Sequence, residues 1–200
     1  MDTIVYVPLE PYKERYTAQM SAPGGWMEKN WERAGLNVLR VEGQALSPDQ
    51  TIKTGVVLDA HGRSYWACSQ VMALVKLLSE GQLDPRKHVI YFDVFWHPGI
   101  SALPYIFHLT GVHIPMYAFL WAQSVDIHDF TYPMRHWLRP FEVGIGKVLS
   151  GIFVASTCLR DMCIYAGIGN EDTIHCVGLP YNSAEVKRAY FPQVLPEKKL

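Results

Sequence analysis

Short, mainly apolar runs recur through this chain, at residues 4–7, 36–41, 55–58, 88–95, 116–122, 152–155 and 174–179. Each has the length of a strand, and none alternates apolar with polar. A strand wetted on one face alternates; a continuous run is what a parallel strand covered on both faces requires. Parallel neighbours cannot be joined by a tight turn and need helical crossovers. The intervening segments supply them. Between 65 and 80, Cys68, Val71, Met72, Val75 and Leu78 recur at helical spacing, and Gly81 follows as a stop. Between 137 and 149 the stripe is Leu138, Phe141, Ile145, Val148 and Leu149. Further helices are expected at 26–34, ending at Gly35, and at 157–166, opened by Ser156 or Thr157 and ended by Gly167. Another, at 99–109, is opened by Pro98 and bent by Pro104.

Strand and helix alternate throughout, so the expected fold is α/β, a mainly parallel sheet with helices on both faces in a single domain. The 200 residues, 49% apolar and only 18% charged, stock a full core and exclude disorder for most of the chain. Residues 1–189 form the expected domain, and 190–200, with two prolines and a charged end, read as a linker or flexible tail. A net charge of −1 argues against holding nucleic acid through a broad basic surface. Cys68, Cys158, Cys163 and Cys176 lack zinc-ribbon spacing and are too sparse for a disulfide scaffold. Buried free thiols in a reducing cytoplasm are expected. No basic leader precedes an apolar core, and no run reaches the ~18 apolar residues of a membrane span. The expectation is a soluble, cytoplasmic chain with no membrane partner.

In open α/β sheets ligands bind outside the carboxyl ends of the strands, so the loops there carry the candidates. The first, 10–25, is long for a strand-to-helix connection. It offers Lys13, Arg15 and Tyr16 for substrate, then Gly24 and Gly25, whose bare amides at a helix start admit a phosphate or sugar or merely make a turn. After the 88–95 run stand Asp93, Trp96 and His97. His97 precedes a helix, whose positive end favours the neutral ring; it is either a base or a cap. After 116–122 come Gln123, Ser124, Asp126, His128 and Asp129, the densest polar cluster in the chain. The types suit a general base, hydroxyl binding or loop solvation, and three such residues within four positions rarely converge on a metal, so none is assigned. Ser156 and Arg160 follow the 152–155 run, the serine first of all as a helix cap. Asp59 and His61 close the turn after 55–58.

The last third, Gly151-Ile152-Phe153-Val154-Ala155-Ser156, then Leu159-Arg160-Asp161-Met162, Ala166-Gly167-Ile168 and Val177-Gly178-Leu179-Pro180-Tyr181-Asn182, resembles the end of the N-terminal domain of GT-B-type, GT4-like glycosyltransferases. Phe95-Trp96-His97-Pro98-Gly99 and Trp121-Ala122-Gln123-Ser124-Val125-Asp126 are similar to predicted phage-encoded glycosyltransferases. The resemblance implies a Rossmann-like sheet forming half of a GT-B fold, and a nucleotide sugar as donor substrate. It implies acceptor binding by this half, with a DNA base or a small hydroxylated molecule as acceptor. Gly24 and Gly25 would face the donor phosphates, His97 or His128 the donor sugar, and Ser156 and Arg160 the crevice floor. Where configuration is inverted, Asp93, His97 or Asp126 would serve as base. The family's donor domain commonly carries a Glu-x7-Glu pair, and no two glutamates here have that spacing. The expected partner is therefore a second glycosyltransferase domain or subunit. The alternative is a non-catalytic nucleotide- or protein-binding module of the same ancestry, with Trp26, Trp31, Trp66 and Trp137 available for an interface.

Overall fold

In a computed structural model of the chain, residues 2–10, 18–47 and 59–180 are described. The elements are β1 (Thr3–Val7), α1 (Ala18–Ser21), α2 (Trp26–Arg33), β2 (Asn37–Arg40), α3 (Ala60–Ser79), β3 (His88–Phe92) and α4 (Pro98–Thr110). There follow β4 (Met116–Leu120), a 3₁₀ turn at Tyr132–Met134, α5 (Arg135–Val148), β5 (Gly151–Val154), α6 (Thr157–Tyr165) and β6 (Ile174–Cys176). The strands form one six-stranded sheet in the order β2-β1-β3-β4-β5-β6. Every pairing is parallel. This is a Rossmann-like α/β fold. The expected strand at 55–58 and the tail at 190–200 lie outside the described residues.

Right-handed crossovers dictate where the helices go. The step from β1 to β2 runs one way and places α2 on one face; each later step runs the other way and places α3, α4, α5 and α6 on the opposite face. On that broad face Val5, Ile90, Phe92, Ala118, Leu120, Ile152 and Val154 meet Leu74, Leu103, Phe107, Ile145 and Cys163. On the α2 face Ile4, Tyr6, Tyr91 and Phe119 meet Met27 and Trp31. Large side chains buried this fully contribute ~1.5–3 kcal/mol apiece before entropy is counted.

Local chemistry sets the helix ends. Asp59 caps α3, its carboxylate accepting from the Gly62 amide at 3.1 Å, and α3 therefore begins five residues earlier than its apolar spacing suggests. His97 caps α4, Pro98 occupies its first turn, and Gly111 ends it in the left-handed region at φ 70°. α4 continues through Pro104. The buried face of α3 is not the stripe expected from the sequence. Cys68, Met72 and Val75 are exposed, whereas Trp66, Ala67, Gln70 and Leu74 are buried. The thiols differ from expectation likewise: all four are free, but only Cys163 is buried, which pushes its thiol up to about 12. Among the described residues no helix is long and apolar enough to cross a membrane.

Two glycines of α5 test the packing. A Cβ on Gly146 would stand 1.6 Å from the carbonyl oxygen of Ile168, a backbone atom, whereas one on Gly144 would meet nothing within 4 Å. In urea unfolding, Gly146→Ala is expected to lose about 1–3 kcal/mol or more. Gly144→Ala is expected to gain about 0.5–1 kcal/mol from helix propensity alone. Equal effects at the two positions would contradict this placement of α5 against the loop after α6.

Candidate functional site

The chain leaves β1 toward β2 and leaves β3 toward β4, in opposite directions, so the loops after these adjacent strands diverge and leave a crevice between them. A cleft of about 270 Å³ opens there. Pro8, Leu9 and Glu10 after β1, Arg63, Trp66 and Gln70 on α3, and Trp96 and His97 after β3 line it.

Its back wall is a closed hydrogen-bond network. The Gln70 side chain is fully buried. Its Nε2 donates to the carbonyls of Pro8 and Val41, both at 2.9 Å. The amide's donors are thereby used, and its Oε1 can only accept, from His97 Nε2 at 3.1 Å. His97 Nδ1 in turn accepts from the Gly99 amide at 3.0 Å. These partners fix the neutral, Nε2-protonated ring. Burial, assisted by the charge of Arg63, holds the His97 pKa down to about 3. With both nitrogens committed, His97 acts as cap and brace of this wall. Trp66 Nε1 adds a bond to the Pro8 carbonyl at 3.1 Å. Toward the opening, the Glu10 carboxylate and the Arg63 guanidinium stand 4.0 Å apart, with Glu10 almost wholly buried.

Asp93, just after β3, is a structural tie. Its Oδ2 accepts from Tyr6 Oη at 2.7 Å, Ser21 Oγ at 2.6 Å and the Leu9 amide at 3.2 Å. Burial nonetheless raises the carboxyl's pKa, and burial together with the Asp93 charge raises the Tyr6 phenol. Trp121 Nε1 donates to the Asp93 carbonyl at 2.5 Å. One residue thus joins β1, α1, β3 and the end of β4.

The Gly24-Gly25 turn is already occupied by the chain itself. Gly24 takes φ 63°, and its amide donates to Glu28 Oε2 at 2.8 Å. Arg40 Nη1 holds the other oxygen of Glu28 at 2.5 Å, Nη2 holds the Ser21 carbonyl at 2.5 Å, and Nε pairs with Glu42. An internal carboxylate thus holds the Gly24 amide, and the Ala22 carbonyl holds that of Gly25 at 2.8 Å.

The polar loop after β4 is organised inward. Ser124 binds the buried Glu142 carboxylate through its amide at 3.0 Å and its hydroxyl at 2.6 Å. Burial raises the pKa of Glu142 against these bonds. The Trp96 indole N–H is close enough to favour the ionised carboxylate, yet falls outside hydrogen-bond geometry. Gln123 Oε1 accepts from the amides of Val125 at 3.0 Å and Asp126 at 2.8 Å. Asp126 accepts from the His128 amide at 2.9 Å, and Asp129 from Thr131 at 2.8 and 2.7 Å. These carboxylates are turn-formers, and the His128 ring is exposed. Among the described residues no three His, Cys, Asp or Glu side chains converge on a metal position. Farther along the edge, Ser156 caps α6 through the Leu159 amide at 3.2 Å, and Arg160 pairs with Asp161 at 2.9 Å.

Of the candidates named from sequence, then, His97 and Trp96 line the cleft and Asp93 ties β1 and α1 to the end of β3. Gln123, Ser124 and Asp126 occupy the next loop, and Ser156 and Arg160 the end of β5 beyond. Gly24 and Gly25 belong to the start of α2, and Lys13, Arg15 and Tyr16 lie outside the described residues. Sequence reasoning missed Glu10 and Gln70, offered Trp66 only for an interface and Arg63 only for a local phosphate contact, and placed none of them in this cleft. Their signal was present in the spacing of Arg63, Trp66 and Gln70, which stack on one face of a helix, three residues mixing polar with aromatic.

The buried ring sets a pH dependence. Unfolded, His97 titrates near 6.5; folded, near 3. Between these values the unfolded chain binds more protons, so stability falls as pH drops from 6.5 toward 3 and is unaffected by this group above 6.5. At pH 4.5 the loss from His97 amounts to about 2–3 kcal/mol. Urea midpoints at pH 7 and 4.5 should therefore differ less in His97→Gln than in the unsubstituted chain. Equal pH slopes would show that the ring is not held neutral.

Comparison with family models and with curated proteins returned no match, so the functional argument rests on the chemistry of this cleft.

Proposed function

We propose that this chain is the acceptor-binding half of a nucleotide-sugar-dependent glycosyltransferase, completed by a second, donor-binding domain or subunit. The observation that carries the reading is the composition and size of the cleft at the β1/β3 divergence. A carboxylate (Glu10) and a guanidinium (Arg63), paired at 4.0 Å, line it together with the indoles of Trp66 and Trp96. Hydroxyl groups both donate and accept, so an acid–base pair of side chains holds them from both sides, while indoles cover the C–H faces of a ring. At about 270 Å³ the cleft accommodates one small hydroxylated group. It falls short of the ~300–1,000 Å³ typical of larger ligands, so a sugar and its nucleotide diphosphate need walls from elsewhere.

The same edge of the sheet offers a seat for those walls. Ile127 and Phe130, in the loop leaving β4, are 64% and 48% exposed. Exposed large apolar side chains beside a cleft are the kind a second domain covers. The resemblance of 151–182 to the end of an acceptor domain supports the same reading, and it makes phage DNA-base modification one setting for it. In the transfer, the acceptor hydroxyl held between Glu10 and Arg63 attacks the anomeric carbon as the bond to the donor phosphate breaks. With His97 neutral and doubly engaged, the acceptor proton passes to the departing phosphate when configuration is retained. Inversion would require a base outside the His97 network.

Tryptophan fluorescence titrations separate this reading from its alternative. Monosaccharides and hydroxymethylated nucleosides are expected to perturb the indoles of the full chain, with affinity reduced about tenfold or more by Arg63→Ala, the loss of one charge-assisted hydrogen bond. UDP, GDP and dTDP are expected to leave the signal unchanged, and sugar-nucleotide turnover to appear only when a donor-binding polypeptide is added. Tight nucleotide binding without acceptor binding or turnover would instead establish a nucleotide-binding module.

A further inference from the structure

A second cavity lies at the other end of the strands from the cleft. From its start beside the cleft, α4 runs down to Thr110 and the chain turns back into β4 at Met116; α5 runs down to Val148 and the chain turns back into β5 at Gly151. Between these two returns is a space of about 450 Å³. The five residues of β4 set it about 16 Å from the carboxyl ends.

Its lining is apolar at the base and basic at the rim. Phe107, Met116 and Leu149, all almost wholly buried, form the base. The polar lining is His108 in the last turn of α4, His113 in the loop before β4, Lys147 in the last turn of α5, and Ser150. All four are exposed. Among the described residues no carboxylate lines the cavity, and none of these four side chains makes a hydrogen bond or an ion pair. In that they differ from Arg40, Arg63, Lys76, Arg86 and Arg160, each of which stands against a carboxylate.

Helix ends explain part of this pattern. A basic group beside the last carbonyls of a helix contributes about 0.3–1 kcal/mol, which accounts for His108 on α4 and Lys147 on α5. It does not account for His113, which belongs to neither helix. Nor is the His113 ring loose: it packs edge to face on Phe107, with centroids 5.5 Å apart. The chemistry of the rim is that of donors. An imidazole offers at least one N–H in either protonation state, an ammonium offers three and accepts none, and the serine hydroxyl adds another. A phosphate monoester presents three terminal oxygens in a tetrahedron and can take donors from several directions, whereas a carboxylate presents two in one plane. The buried apolar base gives the organic part of such an ester a surface to cover, and the volume falls within the ~300–1,000 Å³ of small-molecule sites.

We propose that this cavity binds a small organic phosphate, with its phosphoryl group at His108, His113 and Lys147 and its apolar body against Phe107 and Met116. The inference is independent of the proposed activity, because cavity and cleft lie at opposite ends of the strands.

Phenyl phosphate is a suitable probe. In NMR spectra of the full chain it should move the imidazole C–H signals of His108 and His113 along one saturation curve, and leave those of His128, beyond the carboxyl end of β4, in place. Lys147→Gln, at an exposed position, should weaken binding about fivefold or more through loss of one charge-assisted contact, with the circular dichroism unchanged. Phenol and benzoate, which lack the phosphoryl group, and inorganic phosphate, which lacks the apolar body, should each bind about tenfold more weakly than the probe. Histidine signals that stay still at about 10 mM probe, a limit of some 3 kcal/mol, would overturn the proposal. So would binding of phenol, benzoate or inorganic phosphate as tight as that of the probe, or an affinity that Lys147→Gln leaves unchanged.

Discussion

Where β1 and β3 stand side by side, their continuations must separate, and the backbone carbonyls there lose the neighbours that a sheet would provide. The buried amide of Gln70 answers that problem: it bonds Pro8 beyond β1 and Val41 beyond β2, and joins them to His97 beyond β3. Leaving such buried groups unpaired costs about 1–3 kcal/mol each. Asp93 does complementary work, gathering Tyr6, Leu9 and Ser21 around one oxygen. The crevice exists because these two side chains hold diverging strands at a fixed separation, and the rest of the site is arranged on that frame.

The same frame decides which residues are available for chemistry. His97, Asp93, Ser124 and Gln123 are polar, near strand ends, and of the types that catalysis uses. Each is engaged inward, and burial holds the imidazole neutral while it raises the Asp93 carboxyl. Glu10 and Arg63, an ion pair at 4.0 Å, line the cleft itself. A site on this fold is better recognised by which polar groups border open space than by which residue types crowd the loops.

Much of the architecture was legible because its causes are local. Continuous apolar runs marked five of the six strands within a few residues of their ends and the sixth, β6, by its start, and Ser156 and Pro98 marked helix starts for reasons a single turn contains. What escaped depends on distant partners. The stripe of Cys68, Met72 and Val75 has helical spacing, but Trp66 and Gln70 are the residues drawn inward, by carbonyls of β1 and β2 that no periodicity reveals. The Gly24-Gly25 pair reads as an anion cradle until Glu28, four residues on, is found holding the Gly24 amide with Arg40 behind it. The fold and its strand ends were open to inspection; the direction in which each polar side chain turns was not.

The unequal faces bear on how a chain like this would join a larger assembly. A partner domain that completes a cleft must approach the strand ends, where Ile127 and Phe130 are exposed, and needs that edge unobstructed. Among the described residues a groove lined by Tyr91, Tyr117 and Phe153, by contrast, opens across the α2 face between Trp31 and Pro180, away from that edge.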